Sequence, residues 1–208
     1  MQKKSEKPGI IFIEDHPVMR NRLAAWFKET GRWQVLGAAS TLIEGKDLLT
    51  AVPQNSSFPL VLLLDIQLEN GWSFDIIPFI RDSISLKPVI AIYSAFDDYA
   101  HVKAALAFGV KAYITKRRSE SELEAALLEA LNGTLYIDES AQMRLKIMKD
   151  FLAFLTRREI EILGLIKEGL TNKQIAARLN ISFRTVENIV SCIYDKTGVR
   201  TRLELGRL

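Results

Sequence analysis

Five short apolar runs, separated by longer amphipathic segments, dominate the first 132 residues and restrict the possible folds most strongly. The runs lie at 10–13, 34–38, 60–64, 89–93 and 111–115. Most are continuously apolar rather than alternating, which is typical of parallel strands buried on both faces. The segments between and after them, at about 17–30, 42–52, 72–82, 98–108 and 120–131, are helix-like. Five repeats of a strand followed by a helix predict a doubly wound α/β domain with a parallel five-stranded sheet.

The pattern changes after Leu131, where Asn132 and Gly133 form a turn signal. We predict a linker at 133–153 that contains no strong strand and is helical around 141–151. Capping-box sequences then stand at 156–159 and 171–174, and Ser182 is a candidate N-cap. They predict four short helices at about 157–168, 172–179, 183–196 and 201–208. The predicted domains are therefore an α/β domain at 8–132 and a small all-α domain at 154–208.

Composition and missing motifs narrow the possible classes of protein. The chain has one cysteine, Cys192, so it cannot form an intrachain disulfide, and a reducing compartment is favoured. No apolar run approaches the roughly 20 residues of a membrane helix, so we expect a cytoplasmic protein without membrane contact. Phosphate-binding loops, dinucleotide-binding glycine motifs and zinc motifs are absent. The net charge is +3, and the basic excess lies in residues 151–208, which suggests separate roles for the two domains.

Polar side chains follow the apolar runs at the predicted strand ends. Glu14 and Asp15 follow the first run, Asp65 the third, Ser94 the fourth and Lys116 the fifth. Ligands of open α/β sheets bind outside the carboxyl ends of the strands, so we expect these groups to converge. Three neighbouring carboxylates require a cation, and oxygen ligands suit Mg²⁺. Asp65 could then act as a nucleophile and form an aspartyl phosphate, with Ser94 and Lys116 holding the phosphoryl oxygens.

Segments 13–17, 64–68, 93–95 and 112–116 resemble the receiver domain of two-component response regulators. The resemblance implies a flavodoxin-like sheet with strand order 2-1-3-4-5, and a histidine kinase as the phosphoryl donor. It assigns Asp65 as the phosphoacceptor, and Ser94 and Tyr113 as a pair that switches conformation. The implied Mg²⁺ ligands are Glu14, Asp15, Asp65 and the backbone carbonyl of Gln67. The implied phosphate-contacting and switch residues are Ser94, Ala95, Tyr113 and Lys116.

Residues 154–208 resemble the LuxR/NarL-type helix-turn-helix domain, on the segments 155–163, 169–176, 179–186 and 195–200. The resemblance implies that helix 171–179 supports helix 183–196, which enters the major groove of double-stranded DNA. It also implies a homodimer on activation that reads two half-sites. The implied DNA-contacting residues are Lys173, Arg184, Thr185, Glu187, Asn188, Ser191, Lys196 and Arg200.

The predicted recognition helix is poor in basic residues, which leaves an alternative open. Glu187 stands where the family commonly has lysine, and the outward positions Asn188, Ser191 and Asp195 add no positive charge. Positively charged contacts to DNA would then have to come from Lys173, Arg184, Lys196, Arg200 and Arg202. The alternative is a signalling protein whose helical domain docks a protein partner. In both cases we expect no enzyme, because a receiver only accepts and slowly loses its own phosphoryl group. A hydrolase that uses Asp65 ranks last, since the sequence offers no obvious substrate pocket.

Overall fold

A computed structural model of the chain describes residues 6–69, 71–199 and 201–207. The chain divides into two compact units, unit 1 at 1–145 and unit 2 at 146–208. We describe each unit by itself.

Unit 1 is built around a parallel sheet. Its five longer strands are β1 (Gly9–Ile13), β2 (Gln34–Ala39), β3 (Leu60–Leu64), β6 (Val89–Ser94) and β7 (Ala112–Thr115). A separate antiparallel hairpin joins β4 (Gln67–Leu68) to β5 (Gly71–Trp72). The helices of this part are α1 (Pro17–Glu29), α2 (Leu42–Ala51), α3 (Ile77–Ser83), α4 (Tyr99–Ala107) and α5 (Glu120–Leu131).

The predicted strand order is confirmed for these five strands, but the described sheet has a sixth. The observed order is β2-β1-β3-β6-β7-β8, where β8 (Tyr136–Ile137) pairs in parallel with the outer edge of β7. The sequence analysis placed β8 inside a linker without a strong strand. A two-residue segment is too short to show strand periodicity, and its pairing depends on the free edge that β7 offers. Helix α6 (Glu139–Ala153) follows, longer at both ends than the predicted helix around 141–151.

The segment predicted as a helix at 72–82 differs in its first turn. Trp72 belongs to β5, residues Ser73–Ile76 form a 3-10 turn, and α3 continues from Ile77 with Pro78 in its first turn. Proline fixes φ and lacks an N–H, so it is well placed there, where the amide has no helical partner.

The main sheet is buried on both faces, which explains why its strands are continuously apolar. Along β1, Ile11 and Ile13 pack into one core and Ile10 and Phe12 pack into the other. The two faces lie against different sets of helices, as in doubly wound sheets. The carboxyl ends of the strands are thereby aligned along one edge.

Unit 2 contains a small helical core. Its helices are α7 (Arg157–Lys167), α8 (Asn172–Leu179), α9 (Phe183–Thr197) and α10 (Arg202–Arg207). The predicted capping boxes at Thr156 and Thr171 and the predicted N-cap at Ser182 are confirmed. The C-cap of α8 is Asn180, which has a left-handed φ of 50°. Among the described residues, no helix combines the length and apolar character that crossing a membrane requires.

Candidate functional site

A pocket of about 420 Å³ lies at the carboxyl ends of the main strands of unit 1. Its lining comes from the loops that follow these strands and from the β4–β5 hairpin. The lining residues are Asp15, His16, Asp65, Gln67, Leu68, Glu69, Ala95, Phe96 and Lys116. Five of the residues predicted for the phosphoryl site therefore line one pocket. The other three, Glu14, Ser94 and Tyr113, are buried.

The ammonium group of Lys116 connects two strand ends. Its Nζ lies 2.7 Å from Oδ2 of Asp65 and 2.7 Å from Oε2 of Glu14. Burial raises the pKa of Asp65, although the neighbouring ammonium opposes this shift. Burial by itself lowers the pKa of Lys116, but the two carboxylates outweigh it and the pKa is raised overall. Lys116 is therefore held as a cation between Asp65 and Glu14.

The side chain of Asp15 is only partly satisfied. Its Oδ2 accepts a hydrogen bond of 2.8 Å from the backbone N–H of Glu69. Its Oδ1 is buried and accepts no hydrogen bond from a described residue, although His16 Nδ1 lies 2.9 Å away. A buried carboxylate oxygen without a donor is costly, and a cation would remove that cost.

These groups fit a divalent cation. One possible ligand atom from each of Glu14, Asp15, His16 and Asp65 lies within 4.8 Å of the others. Three carboxylates against one ammonium leave the pocket net negative, and carboxylate oxygens are the ligands that Mg²⁺ prefers. Arg20 fixes the turn that carries two of these residues, since it donates to the carbonyl oxygens of Glu14 (2.7 Å) and Asp15 (3.1 Å). His16 was not among the predicted ligands, and the only sequence signal for its position is its place directly after two acidic residues.

Ser94 and Tyr113 both bond to the backbone of Phe96. The Oγ of Ser94 accepts a hydrogen bond of 3.2 Å from the Phe96 N–H. The Tyr113 hydroxyl donates to the Phe96 carbonyl at 2.8 Å, and burial raises the pKa of this tyrosine. The loop between β6 and α4 therefore links the two residues that were predicted to switch.

Five rings form a stacked series beside the pocket, and sequence reasoning did not predict it. Phe96 stacks on His101 with centroids 4.6 Å apart, and His101 stacks on Trp72 at 5.4 Å. Trp72 stacks on Phe74 at 6.0 Å, and Phe74 on Phe108 at 4.9 Å. The rings come from the β4–β5 hairpin, the 3-10 turn, the β6–α4 loop and α4 with its C-cap residue. Nothing in the local sequence pattern relates these four segments to one another.

Most residues predicted to contact DNA are exposed on α8 and α9 of unit 2. The exposed members of the set are Lys173, Arg184, Thr185, Glu187, Asn188, Ser191 and Lys196. Lys196 also has an internal partner, because its Nζ lies 2.8 Å from Oε2 of the buried Glu159. Arg202 donates to Asn172 Oδ1 at 2.8 Å and to the Leu170 carbonyl, so it stabilises unit 2 internally. Arg200 lies outside the described residues. Among the described residues, Lys173 and Arg184 are therefore the predicted basic contacts for which no internal ion pair is found.

Comparisons with known proteins agree with both halves of this geometry. Residues 10–128 match the family described as response regulator receiver domain, and residues 153–208 match bacterial regulatory proteins of the luxR family. The chain is 31% identical over 205 residues to the DNA-binding transcriptional activator DevR/DosR of Mycobacterium tuberculosis, covering 94% of this chain and 90% of that protein. It is 28% identical over 211 residues to the oxygen regulatory protein NreC of Staphylococcus aureus, with 94% of each covered.

Two solved structures resemble the whole chain in fold. The structure of an RcsB–DNA complex matches with a TM-score of 0.67 and 20% identity, covering 97% of each chain. RcsB from Salmonella enterica serovar Typhimurium, bound to the promoter P1flhDC in the presence of phosphomimetic BeF₃⁻, matches with a TM-score of 0.64 and 21% identity, again covering 97% of each chain. At these identities the likeness concerns the fold.

Proposed function

Because the chain belongs to the LuxR-type response regulators, with a receiver domain followed by a LuxR-type DNA-binding domain, we propose that phosphorylation of Asp65 by a histidine kinase controls DNA binding by unit 2. The observation that carries this proposal is the Lys116 ammonium, which lies between Asp65 and Glu14 in a net negative pocket. The family is regulatory rather than a class of conventional enzymes. The chain accepts a phosphoryl group and slowly loses it again, in the cytoplasm, where it has access to DNA.

Phosphoryl transfer needs a carboxylate oxygen of Asp65 that is free to attack. One Asp65 oxygen forms a bond to phosphorus as the phosphorus–nitrogen bond of the donor phosphohistidine breaks, and the imidazole leaves. Lys116 then exchanges its contact with Asp65 for one with a phosphoryl oxygen, a charge-assisted hydrogen bond of similar strength. Glu14 keeps the other contact of Lys116, so the ammonium stays at the site throughout.

A divalent cation is the cofactor that this pocket fits, and Mg²⁺ suits its oxygen ligands. Glu14, Asp15 and Asp65 would hold it, with the backbone carbonyl of Gln67. When bound, it supplies positive charge that offsets the repulsion between Asp65 and the incoming phosphoryl group. The unsatisfied Oδ1 of Asp15 supports this assignment.

Ser94 and Tyr113 transmit the change through the loop between β6 and α4. To bond a phosphoryl oxygen, the Ser94 hydroxyl gives up its contact with the Phe96 N–H. The Phe96 carbonyl holds the Tyr113 hydroxyl, so movement of this loop changes the position of both groups. Ala95, which lines the pocket, contributes its backbone N–H to the phosphoryl group. Phosphorylation thereby shifts an existing equilibrium between two arrangements of the receiver.

Unit 2 binds double-stranded DNA, and membership in the LuxR family favours this partner over a protein. Helix α9 enters the major groove, and Lys173 and Arg184 supply contacts to phosphates. Glu187 accepts a hydrogen bond from a cytosine amino group, which offsets its repulsion of phosphates. Activated chains bind as homodimers to two half-sites.

Labelling with a small phosphodonor tests the acceptor. We expect acetyl phosphate with Mg²⁺ to add one phosphoryl group to the chain, detected by intact-mass measurement. Asp65→Asn should abolish this addition, because the amide is not a nucleophile of comparable strength. The matched control is Asp82→Asn, which changes an exposed carboxylate that pairs with Arg81. Undiminished labelling of the Asp65→Asn variant would refute the assignment.

The salt dependence of binding tests the DNA partner. We expect the phosphorylated chain to bind fluorescent duplex DNA, with an affinity that falls steeply as salt rises. Lys173→Ala and Arg184→Ala should each reduce the slope of log K against log salt by about 1 per bound chain, and so by about 2 for a homodimer, because each side chain neutralises one phosphate. Lys111→Ala removes an exposed charge from unit 1 and should leave the slope unchanged. Absence of binding even at low salt would favour the protein-docking alternative. Sedimentation measured with and without the phosphodonor shows whether phosphorylation produces the proposed homodimer.

A further inference from the structure

Asp138 is a buried carboxylate at the end of β8 for which the phosphoryl-transfer scheme above gives no role. Its side chain is almost inaccessible to water, with 1% of it exposed. Its Oδ2 accepts hydrogen bonds from the backbone N–H (2.8 Å) and the hydroxyl (2.6 Å) of Thr115. Its Oδ1 accepts from Arg118 Nε at 2.8 Å and from the Tyr136 hydroxyl at 3.0 Å. Both carboxylate oxygens are thus fully used within unit 1.

Three of the four donors to Asp138 belong to Thr115 and Arg118, which lie on either side of the lysine of the phosphoryl site. Thr115 is the last residue of β7, and Lys116 follows it directly. The backbone N–H of Lys116 donates to the Ser94 carbonyl at 2.8 Å, and its Nζ reaches Asp65 and Glu14. Arg118, two residues further, holds the other Asp138 oxygen. Asp138 therefore holds the backbone of Thr115, directly before Lys116, and the side chain of Arg118, two residues after it.

Arg117 attaches the same loop to two other segments. Its guanidinium pairs with Asp97, in the loop between β6 and α4, and donates to the Ser140 hydroxyl at 3.0 Å. The N–H of Gln142 donates to the Asp138 carbonyl at 2.8 Å, so the first turn of α6 begins at Asp138. The loop that carries Lys116 is thus bound to the start of α6 by Asp138 and Arg117.

We propose that Asp138 is a positioning residue for phosphoryl transfer at Asp65, and that it acts by holding Thr115 and Arg118, the residues before and after Lys116 that it contacts. The proposal rests on the function proposed above. A lysine side chain is long and flexible, so the placement of its ammonium depends on how firmly its own backbone is held. Three hydrogen bonds from Thr115 and Arg118 to one buried carboxylate provide that restraint, and the two donors of the buried Thr115 would be left unsatisfied in another arrangement.

The geometry also gives α6 a defined link to the phosphoryl site. When Lys116 exchanges Asp65 for a phosphoryl oxygen, any movement of its backbone acts on Thr115 and Arg118, and through Asp138 on the first turn of α6. Burial alone would raise the pKa of Asp138, but the Thr115 and Arg118 donors lower it overall, so the group stays ionised. The link therefore stays ionic at neutral pH.

The test is a double-mutant cycle between Asp138→Asn and Lys116→Ala in the full chain. We expect Asp138→Asn to slow phosphoryl uptake from acetyl phosphate by on the order of 10-fold, since small misplacements of an orienting group have effects of at least this size. In the Lys116→Ala background the same substitution should change the rate by less than about twofold, because the group through which it acts is missing. An equal slowing in both backgrounds would overturn the proposal.

Glu124→Gln is the matched control for general destabilisation. Glu124 is also a buried carboxylate of unit 1, but it accepts from Trp33 Nε1 at 2.8 Å and pairs with Arg32, with no contact to the phosphoryl site. Both variants should melt at lower temperature, and only Asp138→Asn should slow uptake. Should Asp138→Asn fail to fold, Thr115→Val removes one donor while it keeps the side-chain shape, and the same cycle applies.

The rate of amine labelling of Lys116 measures how firmly its ammonium group is held, independently of phosphoryl transfer. The paired Lys116 should react slowly with a methylating reagent, and Asp138→Asn should raise its rate by several fold relative to the exposed Lys111, measured by peptide mass spectrometry. If the unaltered chain takes up no phosphoryl group, the proposed function fails. If Asp138→Asn shows unchanged uptake and unchanged Lys116 labelling, the role of Asp138 alone fails.

Discussion

Glu159→Gln should destabilise unit 2 at neutral pH, and this destabilisation should vanish in acid. Glu159 is the N3 residue of the α7 capping box, where its Oε2 accepts from the Thr156 N–H at 2.6 Å. The same oxygen holds the Lys196 ammonium at 2.8 Å. A glutamine can keep the bond to the N-cap, as Gln174 does in the capping box of α8. The substitution therefore removes the charge of the pair and retains the cap.

The size of the loss follows from the exposure of the two partners. The side chain of Glu159 is 8% exposed, but that of Lys196 is 37% exposed, so the ammonium regains water when its partner becomes neutral. Exposed ion pairs contribute about 0–1 kcal/mol, whereas breaking a fully buried pair costs about 3–5 kcal/mol. We expect Glu159→Gln to lower the free energy of unfolding of unit 2 by about 1 kcal/mol, close to the range for exposed pairs. For a domain of this size that corresponds to a fall of about 4–8 °C in Tm.

The pH dependence separates the ion pair from other causes. The Lys196 ammonium is the largest cause that lowers the pKa of Glu159 in the folded chain. A lowered folded-state pKa contributes stability that is complete above the pKa of the unfolded chain and is lost as the pH falls through the folded value. Glutamine does not titrate in this range. The advantage of the unaltered chain over Glu159→Gln should therefore be constant near neutral pH and shrink toward zero below about pH 4.

Amide hydrogen exchange is the suitable assay, because the three tryptophans all lie in residues 1–145 and do not report on unit 2. The protection of the most stable α7 and α9 amides gives the opening free energy of unit 2 separately. A companion variant, Lys196→Gln, and the double variant complete a cycle whose coupling should also vanish in acid. A difference between the chains that persists unchanged into acid, or no difference at neutral pH, would refute the assignment of stability to this pair.

Substitutions at three further positions test the packing and the backbone conformation. Gly45→Ala should destabilise unit 1 by about 1–3 kcal/mol, because a Cβ there would lie 2.2 Å from Cδ1 of Ile13. The control Gly164→Ala lies in the exposed middle of α7, where an added Cβ would have no atom of another described segment within 4 Å, and it should stabilise unit 2 by about 0.4–1 kcal/mol. Asn180→Ala should cost about 1 kcal/mol, because alanine tolerates the left-handed conformation poorly, whereas Asn180→Gly should be neutral or stabilising. Denaturant titrations check all four substitutions; a destabilised Gly164→Ala or a neutral Asn180→Ala would contradict the backbone argument.

The sequence predicts the main strands and the acidic pocket because both follow from local rules. A parallel strand buried on two faces must be continuously apolar, and the groups after each strand share one edge of the sheet. The positions of Asp65 and Lys116 could thus be inferred without a structure. Their direct contact could not, because it depends on which strand ends are neighbours and how far each loop turns.

Features that sequence reasoning missed depend on contacts between distant segments. The pair Glu159–Lys196 joins two helices, so a lysine expected on the DNA-facing surface also stabilises the core of unit 2. The ring series from Phe96 to Phe108 joins four segments. β8 exists because β7 offers it an edge. In each case the local pattern is compatible with several partners, and only the folded chain selects one.

Strand β8 also determines where the receiver can be separated from the rest of the chain. The family match ends at residue 128 and the first predicted domain at 132, but the compact unit extends to 145. A fragment that ends at 132 would leave the outer edge of β7 with unpaired N–H and C=O groups, a template for pairing with another copy. It would also strip Thr115 and Arg118 of their buried acceptor. The two-residue strand covers this edge of β7, and a fragment that ends at 145 should therefore self-associate less than one that ends at 132.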